Sequence, residues 1–214
     1  RPNPYELLGP VRILRKELGL TTNDFAVLTA LISYLPREER STSSNHTDLT
    51  VVFPSNASLS ERANGIDERT LRRSLGRLAA ADLIERKNSA NGKRFPLRYG
   101  GVIRDAFGID LKPLTQNYEA LATRASKLAE EHERLRSLKA EALALRASLL
   151  DKEHVDETRL STLGTIRNIL RRATLSADAV LQIIAGLREL GANDQKSYGE
   201  RLGSTQAVDD HQPD

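Results

Sequence analysis

Residues 55–98 read SNASLSERANGIDERTLRRSLGRLAAADLIERKNSANGKRFPLR, with helix signals first and strand signals after them. Ser55 or Asn56 offers an N-cap oxygen for a short helix through Ala63, with Leu59 and Ala63 facing inward. Asn64-Gly65-Ile66 supplies a residue free to take positive φ, so the chain turns there. Asp67 caps a second helix from Glu68 to about Ala81, whose Leu71, Leu75 and Leu78 at i, i+4, i+7 form one apolar stripe. Leu83 to Lys87 then alternates as a strand, Asn88 to Gly92 turns, and Lys93 to Arg98 returns as a second strand. Two helices across a tight turn followed by a β-hairpin predict a winged helix-turn-helix.

Charge is concentrated in the same stretch. Residues 62–98 hold 10 basic and 4 acidic side chains, whereas the whole chain of 214 residues has 32 Lys+Arg against 29 Asp+Glu. At 100° per residue, Arg69 and Arg73 lie opposite the leucine stripe, with Thr70 and Arg77 beside them and Arg72 on the flank. Arginines on such a face fork onto guanine edges or clamp phosphates. Glu68 in the first turn favours the helix dipole. The expected wing adds Lys87, Lys93 and Arg94 around Asn88, Ser89 and Asn91, a small polar tip suited to phosphate or minor-groove contact. Ser55, Asn56 and Arg62 on the first helix are expected to hold further phosphates. A merely solvated face more often mixes signs, as residues 119–153 do, so the pattern predicts duplex DNA as partner.

On the N-terminal side, residues 1–10 hold three Pro and one Gly and predict an extended lead-in, followed by a short helix from Val11 to Leu18 stopped at Gly19. Thr21 or Thr22 caps the next helix, with Phe25, Leu28, Leu31, Ile32 and Leu35 as apolar positions and Pro36 ending it. Residues 37–49 predict a surface loop, and Thr50 to Phe53 a brief edge strand closed by Pro54. On the C-terminal side, Val102 to Leu111 predicts a short helix or turn. Pro113 opens a long helix with a heptad-like seam through Leu114, Tyr118, Leu121, Ala125, Leu128, His132, Leu135, Leu138, Ala142, Leu145 and Leu149. Two more helices follow, one with Leu160, Leu163, Ile166 and Leu170, the other capped at Ser176 with Val180, Ile183, Ile184, Leu187 and Leu190. The seam's alternate line includes His132, Lys139 and Arg146, which a parallel dimer would bury against themselves. Residues 113–190 are therefore expected to form one three-helix unit with weak self-association. The tail from 191, with 2 basic and 5 acidic residues, predicts a linker.

The expected architecture is thus mainly α with a small β-wing. It comprises an N-terminal arm and short helix (1–20), the winged helix-turn-helix domain (21–112), a helical extension (113–190) and an acidic flexible tail (191–214). The absence of Cys removes disulfides, thiolate metal sites and thiol nucleophiles together, and suits a cytoplasmic setting. His46, His132, His154 and His211 show no short-range metal-ligand spacing, and the phosphate-binding and nucleophile-elbow glycine motifs are missing. The reading is a non-enzyme without cofactor or metal. No apolar run is long enough to span a bilayer. With no Met anywhere, the chain is expected to be a fragment of a longer protein.

Val51-Val52-Phe53-Pro54-Ser55-Asn56, Arg69-Thr70-Leu71-Arg72-Arg73 and Asn91-Gly92-Lys93-Arg94, in this order and spacing, resemble the N-terminal domain of the replication initiator C protein (RepC) family of repABC-type plasmids. The likeness extends through Ala106-Phe107-Gly108-Ile109-Asp110-Leu111. It implies a plasmid replication initiator that binds double-stranded origin DNA and recruits host replication proteins. Two departures stand out. Asp82 occupies a place where members often carry Gly; Asp visits left-handed geometry at modest cost, so the second helix is expected to end slightly differently there. The wing, Asn88-Ser89-Ala90-Asn91-Gly92, lacks the usual Asp and Pro. The residues also admit a winged-helix transcriptional regulator dimerised by the long helix, or a helical adaptor that binds no DNA.

Overall fold

A computed structural model of the chain describes residues 3–35, 50–100, 102–151 and 157–205, so the loop expected at 37–49 lies outside the described residues. The chain is mainly helical with a small antiparallel sheet: α1 (Leu8–Leu14), α2 (Thr22–Ile32), β1 (Val51–Val52), α3 (Asn56–Arg62), α4 (Glu68–Ala80), β2 (Glu85–Lys87), β3 (Phe95–Tyr99), β4 (Val102–Asp110), α5 (Lys112–Gln116), α6 (Tyr118–Leu150), α7 (Glu157–Leu170) and α8 (Ala177–Thr205). Packing divides within α6, between residues 129 and 130.

In the first unit the lead-in is not extended. Pro4–Leu7 is a 3-10 turn capped by Asn3, and α1 begins at Leu8, three residues earlier than expected. Pro4 and Pro10 both sit in first turns, where no backbone N–H is required. Leu7, Leu8, Val11 and Leu14 are thereby buried against Val27, Leu28 and Leu31 of α2. Thr21 caps α2 through a reciprocal capping box with Asp24. Helices α3 and α4 have the expected caps, Ser55 and Asp67, and bury Leu59 and the stripe Leu71, Leu75 and Leu78. Between them Asn64 and Gly65 take φ of 67° and 70°. Asp82 sits at φ 54°, and the amides of Asp82 and Leu83 close back onto the carbonyls of Ala79 and Leu78 at 3.1 and 3.0 Å. The helix therefore ends in a Schellman motif with Asp where Gly is usual.

The sheet departs most from expectation. Val102–Asp110 is its longest strand, not a helix or turn, and β1, β2 and β3 all pair antiparallel with it. The expected β2–β3 hairpin is replaced by a β3–β4 hairpin. Tyr99 pairs with Val102, and Gly100 takes φ 58° just after β3. Gly108 of β4 has a specific reason to be glycine: a Cβ there would run into the Val52 carbonyl of β1. That obstacle is backbone and cannot swing aside. Gly108→Ala is expected to cost about 3 kcal/mol by prying β1 from β4, measurable as a shift in denaturation midpoint at constant slope.

The long helix expected from Pro113 is broken at Asn117, where α5 ends. The Asn117 amide donates to the Asp82 carboxylate at 3.0 Å, holding the break against the end of α4. Leu114, Leu121 and Ala125 are buried in the first core, so this part of the seam is spent there.

In the second unit, Ala142 and Leu149 of α6 pack with Leu163 and Leu170 of α7 and Val180, Ile184 and Leu187 of α8. The charged seam residues find backbone partners. Lys139 Nζ donates to the Arg172 carbonyl at 2.9 Å, and Arg146 Nε to the Leu163 carbonyl at 2.7 Å. Leu160, expected in the α7 stripe, is half exposed, and His132 is exposed on α6. The predicted linker from 191 is helical as far as Thr205; Gly191 does not stop the helix, since a glycine costs a helix interior only about 1 kcal/mol.

Candidate nucleic-acid interface

The candidate interface is built on α3, α4 and the segment 88–94, all in the first unit. Burial of Leu71, Leu75 and Leu78 turns the opposite face of α4 outward. Arg69 and Arg73 are exposed there and make no ion pair among the described residues. Arg72 is also exposed, and its Nη2 donates to Glu68 Oε1 at 2.7 Å one turn earlier. Hydrogen bonds from Arg72 and Asn56 lower the pKa of Glu68, so its charge stays on the helix N-terminus.

Two residues expected on the recognition face are engaged elsewhere. The Thr70 amide and hydroxyl donate to the Asp67 carboxylate at 2.8 and 2.6 Å, completing the cap and lowering the Asp67 pKa. Arg77 turns to α2, where Nε and Nη2 each donate to an oxygen of Asp24 at 2.7 Å. Asp24 is wholly buried, and Thr21 also donates to it from its amide and hydroxyl at 2.7 and 2.8 Å. Burial works to raise the Asp24 pKa, but the bonds from Arg77 and Thr21 outweigh it and hold it at about 2. Arg77 is thus the clamp between α4 and α2.

On α3, Ser55 is spent as the N-cap, accepting from the Ser58 amide at 3.1 Å. Asn56 Nδ2 donates to Glu68 at 3.3 Å, tying α3 to α4. Arg62 stacks over the Tyr34 ring at 4.1 Å and donates Nη1 to Ser33 Oγ at 3.0 Å, and the residue as a whole is exposed.

The segment 88–94 is a closed turn. Ser89 Oγ donates to the Lys93 carbonyl at 2.7 Å, the Lys93 amide donates to Asn91 Oδ1 at 3.1 Å, and Gly92 takes φ 69°. Asn88 and Lys93 are exposed. Lys87, expected to reach phosphate, is instead paired with Asp105 of β4 at 2.6 Å, which lowers the Asp105 pKa. Arg94 turns inward and donates Nη1 to the Pro54 carbonyl at 2.9 Å. Three exposed arginines escaped the sequence reading: Arg86 on β2, Arg98 on β3 and Arg104 on β4. Arg104 lay in a segment read as helix or turn, and the importance of Arg86 depends on a strand register that alternation alone does not reveal.

A family model described as the replication protein C N-terminal domain matches residues 2–154, which contain every residue of this interface. The chain belongs to the replication protein C family. Two curated proteins carrying the replication protein C name are similar to it. The one from Rhizobium rhizogenes is 42% identical over 123 residues, 57% of this chain and 29% of that protein. The one from Sinorhizobium fredii is 36% identical over 126 residues, 58% of this chain and 30% of that protein. The chain therefore matches about three tenths of the length of these relatives. No solved structure matches it. Among the described residues no helix is long and apolar enough to cross a membrane, and no group of His, Cys, Asp or Glu is arranged to hold a metal ion.

Proposed function

We propose that this member of the replication protein C family is an origin-binding module of a plasmid replication initiator, reading duplex DNA with α4 and acting as a binding protein rather than an enzyme. The order α3, turn, α4 and β-hairpin supports a winged-helix assignment, with β3–β4 as the hairpin. The carrying observation is the face of α4: Arg69 and Arg73 are exposed and unpaired among the described residues, beside Arg72. The first helix, through Asn56 and the outer side of Arg62, and the tip, through Asn88, Asn91 and Lys93, hold the flanking backbone. Binding at the origin then brings the host replication proteins to it, in keeping with the family's name.

Footprinting across the plasmid's origin region, paired with competition by unrelated duplex, tests the reading. The expected result is one protected segment bound at least about 10³-fold tighter than unrelated sequence at physiological salt. Equal affinity for every duplex would reduce the interface to general polyanion binding. No affinity for any duplex would leave a helical adaptor.

A further inference from the structure

A cleft of about 350 Å³ lies between α4 and the segment 88–94, at the small end of the ~300–1,000 Å³ of ligand clefts. Arg72, Arg86, Lys87, Lys93 and Arg94 line it, together with Gly108 and Ile109 of β4, and no carboxylate or aromatic residue does. Its five cations are not equivalent. Arg72 has Glu68 and Lys87 has Asp105, so each carries an internal counter-charge. Arg86, Lys93 and Arg94 meet no carboxylate among the described residues. Arg94 is the telling one. It is partly buried, and its one hydrogen bond, to the Pro54 carbonyl, supplies a dipole but no charge. Burial and the charge of Arg86 both push its pKa down, as happens to a cation that lacks its anion.

We propose that this cleft seats a phosphate group, held by Arg86, Arg94 and Lys93 with Arg72 alongside; on the duplex-binding reading above, the nucleic-acid backbone supplies it. Guanidinium forks match phosphate oxygens in pairs, which a neutral or cationic ligand would not repay. The lack of an aromatic lining side chain disfavours a stacked base, so the occupant is backbone rather than nucleobase. Arg86 thereby gains a role independent of sequence, while Arg69 and Arg73 face the base edges.

The experiment uses the whole chain, Arg86→Gln and Lys93→Gln in two arms. In the first arm, duplex affinity is measured across a salt series. Each variant is expected to lower the magnitude of the log K against log[salt] slope by about 0.9 per lost contact, equally on origin and unrelated duplex. In the second, pyrophosphate is titrated against the wild-type chain and Arg86→Gln by NMR. The Gly92 and Gly108 amides and the Arg94 Nε–H signal are expected to move in the wild type and to move less in Arg86→Gln. Wild-type slopes in both variants, with those signals still under pyrophosphate, would overturn the phosphate seat. A wild-type chain that ignores duplex while those signals move would keep the seat and discard DNA as its source.

Discussion

Arg77→Ala is expected to destabilise the first unit by about 3 kcal/mol without changing the DNA affinity of the molecules that remain folded. The Arg77–Asp24 contact is bidentate, and it joins a half-buried guanidinium to a carboxylate with no solvent exposure. Removing one partner of a buried pair costs about 3–5 kcal/mol, because the other charge is left without compensation. The low end applies because Thr21 still donates two bonds to Asp24. The pH dependence follows from the direction of the shift. Asp24 has a folded pKa of about 2, below its usual 3.8, so its stabilisation is present above about pH 4 and is lost as pH falls through 2. At 1.36 kcal/mol per unit, that contribution is on the order of 2 kcal/mol. In Arg77→Ala the Asp24 pKa rises and the acid loss begins at higher pH. Urea denaturation at pH 7 and pH 3 reads both effects. Wild-type stability together with lost DNA affinity would return Arg77 to the DNA-reading face.

The double variant Arg69→Ala/Arg73→Ala is expected to weaken origin binding by about 2–6 kcal/mol while affinity for unrelated duplex falls much less. Each bidentate guanidinium contact to a base edge is worth about 1–3 kcal/mol of discrimination, and about 2–6 kcal/mol is the range of two such contacts to separate base edges. Both side chains are exposed and hold nothing else in place, so stability should stay within about 0.5 kcal/mol. Paired titrations of origin and random duplex, with a denaturation curve for each variant, provide the measurement. Equal losses on both duplexes would reassign the two arginines to phosphates. Unchanged affinity on both would remove α4 as the reading helix.

Features that depend on neighbours within about four positions were legible in the amino-acid order. The α3 and α4 caps, Ser55 and Asp67, the Asn64-Gly65 turn, and the buried stripe Leu71, Leu75 and Leu78 all follow from local periodicity and capping chemistry. The outward position of Arg69 and Arg73 follows from the same stripe. The destinations of the other cations depend on long-range packing. Arg77 and Asp24 are 53 residues apart, Arg94 and Pro54 are 40 apart, and Lys87 and Asp105 are 18 apart, so no local pattern announced that these side chains were already partnered. β4 was hidden for a related reason. Arg104-Asp105-Ala106-Phe107 has no clean alternation, because β1 and β2 pair along its C-terminal part while β3 covers the rest, and burial there is set by three partners rather than by one exposed face. Likewise the seam along α5 and α6 reads as continuous, yet Leu114, Leu121 and Ala125 are buried in one core and Ala142 and Leu149 in another. Periodicity records which face of a helix is buried, and only the packed chain assigns that face its partner.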